Sequence, residues 1–232
     1  MDQRIVTGSR TQTAESHFIS RVYFWMSIGL AISAAASFWL MSQPELLRAL
    51  FTNGFLLIAL VVAEIALVIW LSVAAMRMSA YLATSIFLAY SFLNGVTLTS
   101  VFLVYTGVSV MTTFAITAGT FFFFSVYGMT TKKDLTSVGG FMMMGLIGMI
   151  IAGVVNIFLK STVLYWVSTF VGIAVFLGLT AWDTQKLKNI HAMGFESAEM
   201  EKKVAILGAL TLYLDFINLF ILLLRIFGKR RD

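Results

Sequence analysis

Seven stretches of roughly twenty residues, almost entirely apolar and almost free of charge, dominate this chain. In a bilayer every backbone N–H and C=O must find its partner inside the segment or the fold, so only helices and closed barrels span. A hydrocarbon core about 30 Å thick takes about 20 residues of helix. With that ruler the sequence predicts spans over residues 22–41, 54–76, 80–104, 108–127, 141–159, 162–183 and 204–227. The runs are continuous rather than alternating, which excludes an outer-membrane barrel. A single proline in the chain favours unbroken helices. The expectation is an all-α integral membrane protein, a bundle of seven transmembrane helices.

Composition sharpens this. Of 232 residues, 59% are hydrophobic and 12% charged, against about 25% charged in soluble domains. The absence of cysteine excludes disulfides, thiolate nucleophiles, iron–sulfur clusters and cysteine-type zinc sites. Both histidines, His17 and His191, fall outside the apolar runs, so no histidine pair can hold a haem within the bilayer. The net charge of +5 fits topology and anionic lipid better than nucleic acid, and no nucleic-acid partner is expected. Residues 1–21 read as a cytosolic tail rather than a signal peptide, since they lack an apolar core. Residues 22–232 read as a single membrane domain, expected to be monomeric, with the lipid bilayer and other membrane proteins as its partners.

Orientation follows from lysine and arginine placement. Arg4, Arg10, Arg21, Arg77, Lys132, Lys133, Lys186, Lys188, Lys202 and Lys203 fall on one side, and only Arg48 and Lys160 in the intervening loops. The N-terminus is therefore expected in the cytosol. Arg225, Lys229, Arg230 and Arg231 oppose the rule if the seventh segment spans. A re-entrant segment would return them to the cytosol, but its 24 residues cover about 36 Å, enough for a full crossing.

Charged residues within the runs are the functional signal, because a carboxylate at bilayer depth costs about 2.5–3.5 kcal/mol unless paired. Asp215 lies inside Val204-Ala-Ile-Leu-Gly-Ala-Leu-Thr-Leu-Tyr-Leu-Asp-Phe-Ile-Asn-Leu-Phe-Ile-Leu-Leu-Leu224, and Asp183 closes the sixth run. Asp183 is also close to Lys186 and Lys188, so spacing alone allows an exposed helix end. Two approaching carboxylates can share a proton or offer hard oxygens to a cation. Glu64, ten residues into the second span, needs a proton or a polar partner and is expected to face the bundle interior. Arg77 ends that helix and reads equally as a topology anchor or a gating residue. Asn218 shares a helix face with Asp215. Asn94, Asn156 and Asn218 are expected to bond between helices. Ala31/Ala35, Ser33/Ser37 and Gly148/Ala152 are expected packing seams.

Two segments carry a resemblance. Ala181-Trp-Asp-Thr-Gln-Lys-Leu-Lys188 and Gly208-Ala-Leu-Thr-Leu-Tyr-Leu-Asp-Phe-Ile-Asn-Leu-Phe-Ile-Leu-Leu-Leu-Arg-Ile-Phe-Gly228 resemble the signature segments of the Bax inhibitor-1 family, with the likeness strongest to its bacterial inner-membrane members. The loop Tyr127-Gly-Met-Thr-Thr-Lys-Lys-Asp-Leu135 adds support. The resemblance implies a seven-helix bundle with the last helix central and a pH-sensitive calcium leak controlled by two aspartates, matching Asp183 and Asp215. It also implies roles in the pathway for Glu64 and Arg77, although their spacing departs from the family pattern in a way that rotates Arg77. For the two aspartates to meet, the sixth helix must run past Lys188 and the seventh must start before Val204.

The expected activity is cation conduction without covalent chemistry or cofactor, with calcium as the permeant ion and Asp183 and Asp215 as its transient ligands. The alternative is a non-conducting membrane regulator that binds other membrane proteins and modulates their turnover or stress survival. A diaspartyl intramembrane protease is disfavoured, because neither aspartate sits in a Gly-x-Gly-Asp pattern.

Overall fold

The computed structural model describes residues 2–231, with side chains from His17 onward. Eight α-helices follow in order: α1 (Asp2–Met41), α2 (Pro44–Thr52), α3 (Gly54–Ala74), α4 (Ala80–Val104), α5 (Gly107–Thr130), α6 (Thr136–Leu159), α7 (Thr162–Ala192) and α8 (Ala198–Phe227). All but α2 are long and apolar enough to cross a membrane. Large apolar side chains such as Phe55, Val73, Val108, Phe158 and Val163 stand at least 74% exposed. In water such surfaces would drive association; in lipid they face their own solvent.

The spans expected from sequence are present, with revised ends. Helix α1 is already helical from Asp2, so the segment expected as a tail continues the helix of the first span, whose apolar stretch begins at His17; Arg4 and Arg10 lie outside the described side chains. Helix α3 stops at Ala74 and gives way to a 3₁₀ turn over Ala75–Arg77. Helix α7 continues to Ala192 and α8 begins at Ala198, the two extensions needed for the aspartates to meet. Helix α2 was not anticipated. The only proline sits at its start, where a missing N–H costs nothing. At nine residues it cannot span; its Leu47, Leu50 and Phe51 pack on Ala36, Leu40 and Val96.

The chain forms two compact units. The first contains the chain up to Val104 and Ile190–Tyr213. Here α1 and α4 pack closely: Ser33 Oγ lies 2.7 Å from the Ser91 carbonyl oxygen, and Ser37 Oγ donates to the Gly95 carbonyl at 2.5 Å. Gly95 permits this approach, because a Cβ there would strike the Ser33 backbone. The seam therefore runs along Ser33 and Ser37, while Ala31 and Ala35 are exposed.

The second unit contains Tyr105–Asn189 and the chain from Leu214. Helix α5 buries Val110, Thr113, Thr117, Phe121, Ser125 and Gly128 along one face. A Cβ at Gly128 would collide with the Ala181 carbonyl, so this glycine lets α5 touch α7 just before Asp183. Gly148 has open space around it, and the expected α6 seam is unfilled. Helix α8 is the most enclosed of the spans, with 72% of its apolar window buried.

Candidate functional site

In the second unit, α7 and α8 each bury one carboxyl group. Asp183 is 6% exposed and Asp215 5%. The two side chains lie within hydrogen-bonding reach of each other. Asp215 Oδ2 is buried without a protein partner. The long α7 decides the alternative left open for Asp183: the helix continues for two further turns, so the residue lies inside it rather than at its end. Lys186, the cation that acts on Asp183, holds its ammonium 4.9 Å from the Trp182 ring centre.

The residues after Asp183 hold the connection between α5 and α6. Gln185 Oε1 accepts from the Leu135 N–H and its Nε2 donates to the Lys133 carbonyl, both at 2.8 Å. Lys188 Nζ donates to the Met129 carbonyl at 2.8 Å. The resembling segment 181–188 thus carries one carboxylate and two fasteners.

A separate polar cluster fills the first unit. Glu64 is 9% exposed and accepts from Thr97 Oγ1 and, at 3.4 Å, from Asn94 Nδ2. Tyr213 donates its hydroxyl proton to Asn94 Oδ1 at 2.8 Å, and its oxygen is 2.6 Å from Ser33 Oγ. Glu64 thus faces protein, and its partners are neutral: among the described residues it forms no ion pair.

Two expected site residues stand differently. Arg77 is exposed on the 3₁₀ turn and makes no ion pair among the described residues, a position that matches a snorkelling anchor. Asn218 donates to the Leu214 carbonyl of its own helix at 2.8 Å. Asn156 likewise caps its own helix end through the Ser161 N–H at 2.9 Å. Of the three asparagines, Asn94 makes the interhelical bonds.

A family model described as "Inhibitor of apoptosis-promoting Bax1" matches residues 15–232. The chain belongs to the Bax inhibitor-1 family. It is 48% identical to the inner membrane protein YbhL of Escherichia coli strain K12 over 92% of each chain. An uncharacterized membrane protein of Streptococcus pyogenes serotype M1 is 35% identical over 97% of each chain. Seven apolar helices and the E. coli relative's designation together support a multi-pass inner membrane protein.

Within this Bax inhibitor-1 member the sequence exposed the carboxylates, because charge stands out in an apolar run. It did not expose Tyr213, Thr97 or Gln185. A tyrosine or threonine in a membrane helix is unremarkable by type, and Gln185 sits where polar residues are expected. Only their spatial partners mark them.

Proposed function

We propose that this protein is a pH-sensitive calcium leak whose gate is the Asp183–Asp215 pair. The observation that carries the reading is the buried contact between two carboxyl groups on α7 and α8, with one oxygen of Asp215 unpartnered. Two carboxylates in contact away from water repel each other, and one shared proton removes that repulsion. Release of the proton leaves two charges that either part or take up a cation. The packed and parted arrangements are the two states of the gate.

Calcium takes about six to eight oxygen ligands. The pair supplies only part of that shell, and the described residues contain no group of three or more histidine, aspartate or glutamate side chains that could hold a metal. Such a site suits a partly hydrated ion in passage rather than a resident one. Glu64 offers a second carboxyl lined by neutral donors. No reacting group beyond these carboxyls is required, so the function is read as transport rather than catalysis. The charge bias supports a cytosolic N-terminus.

Purified protein in liposomes loaded with a calcium-sensitive dye tests the reading. Flux without any partner protein, varying with pH, is the expected result. No flux at any pH would overturn it in favour of a non-conducting regulator. One observation favours that second reading: Gly140, Gly148 and Gly153 on α6 face open space, where a partner helix could approach closely.

A further inference from the structure

Tyr213 is fully buried, and its ring is fixed edge-on against Phe87 at 5.9 Å and Tyr90 at 5.8 Å. Gly29 leaves the space it occupies, since a Cβ there would stand 2.6 Å from Phe87 and 3.2 Å from Tyr213. The phenol is thus held between Asn94 Oδ1 and Ser33 Oγ. A phenol has one proton and an amide oxygen has none. The Tyr213 proton therefore serves Asn94, and Ser33 donates to the phenol oxygen. With Oδ1 engaged, the amide nitrogen turns to Glu64 Oε2, while Thr97 donates to Oε1. Every donor in the chain points at Glu64, which only accepts.

The opposite polarity is complete only when Glu64 carries a proton. If the Asn94 amide is reversed, a protonated Glu64 donates to its oxygen. The amide nitrogen donates to the phenol oxygen, and the phenol to Ser33. Ser33 then donates to the Ser91 carbonyl 2.7 Å away. The orientation of one amide is thereby tied to the charge on one carboxyl group.

We propose that Tyr213 is a positioning residue for Glu64, fixing the Asn94 amide so that its nitrogen faces the carboxylate and holds it ready for a cation. The inference rests on the cation-pathway reading for its purpose, but the hydrogen-bond chain can be tested without any flux.

Infrared difference spectra of reconstituted wild type against Glu64→Gln assign the Glu64 carboxyl bands. Tyr213→Phe keeps the ring and removes the hydroxyl. It should enlarge the neutral-acid band of Glu64 at pH 7, and Asn94→Leu should do the same. The double variant should be no more affected than either single one, because both break one chain. Tyr90→Phe, which removes a neighbouring phenol outside the chain, should leave the bands unchanged. In calcium flux, Tyr213→Phe should raise the half-saturating concentration about fivefold, as expected for one lost neutral hydrogen bond, with maximal flux retained. Should Tyr213→Phe fail to fold, Asn94→Leu still decides through the same bands. Unchanged Glu64 bands in the folded variants would overturn the proposal. A wild type without flux but with the expected band changes would overturn the leak alone.

Discussion

Asp183 and Asp215 hold the positions where a single atom should change behaviour most. Asparagine at either position keeps the volume and the hydrogen bond but removes one ionisation. Asp183→Asn or Asp215→Asn should therefore flatten the pH profile of calcium flux, to within about twofold over pH 5–8, while insertion and folding persist. Dye-loaded liposomes measure this, and wild-type pH dependence in both variants would make the pair purely structural. The two aspartates were legible in the sequence because charge in lipid is costly and therefore rare. The partners of Glu64 were not: Asn94 and Asn218 look alike in sequence, yet one bonds across helices and the other to its own turn. Which way an amide points is decided by the neighbouring helix, and no local pattern encodes it.

Helix ends depend on polar contacts that hydropathy does not register. The α5–α6 connection is fastened by Gln185, whose amide completes one backbone donor and one acceptor. Gln185→Leu would leave the buried Leu135 N–H without its partner, at a cost of about 1–3 kcal/mol. Faster amide exchange at Leu135 and quicker trypsin cleavage at Lys132–Lys133 are expected; unchanged rates at both would show that the loop is held otherwise. Asp134 closes the turn that leads into α6 by accepting from the Thr136 N–H at 2.9 Å and Oγ1 at 2.6 Å. The Thr136 hydroxyl bond, then the backbone one, holds this exposed carboxyl below the usual aspartate range. A depressed value in the folded state stabilises above the unfolded value and is lost as pH falls through the folded one. The start of α6 should thus fray in acid below about pH 4, as read by hydrogen exchange, and Asp134→Ala should be frayed already at pH 6. Helix α2 escaped the sequence reading for a related reason. Nine residues are too few for a span, and their two-sided character resembles any polar loop until Leu47, Leu50 and Phe51 find a surface.

Across the whole molecule, the seven spans were legible because lipid admits so few solutions, whereas the fate of the basic C-terminus was not. The charge rule pulls Arg225, Lys229, Arg230 and Arg231 toward the cytosol, and length alone permits a crossing. Contacts within the second unit bear on this choice. The Thr106 N–H donates to the Lys229 carbonyl at 2.9 Å, and Tyr105 pairs with Arg230, so the chain end joins the turn before α5. Gln185 and Lys188, near the end of α7, bind the opposite end of α5 and the loop after it. Helix α5 is long enough to cross, so the two ends of α5 belong to opposite faces. Arg225 is accommodated on its side by the Tyr165 ring, 4.9 Å away, and the Thr169 hydroxyl at 3.3 Å. A sheltered Arg225 lowers the cost of placing this cluster on the face opposite the α5–α6 loop. A reporter that is active only in the cytosol should thus be silent when fused after the last residue and active when inserted between Lys132 and Lys133. Activity at both positions would mean that α8 turns back within the bilayer, and would also remove the geometric basis for setting Asp215 level with Asp183.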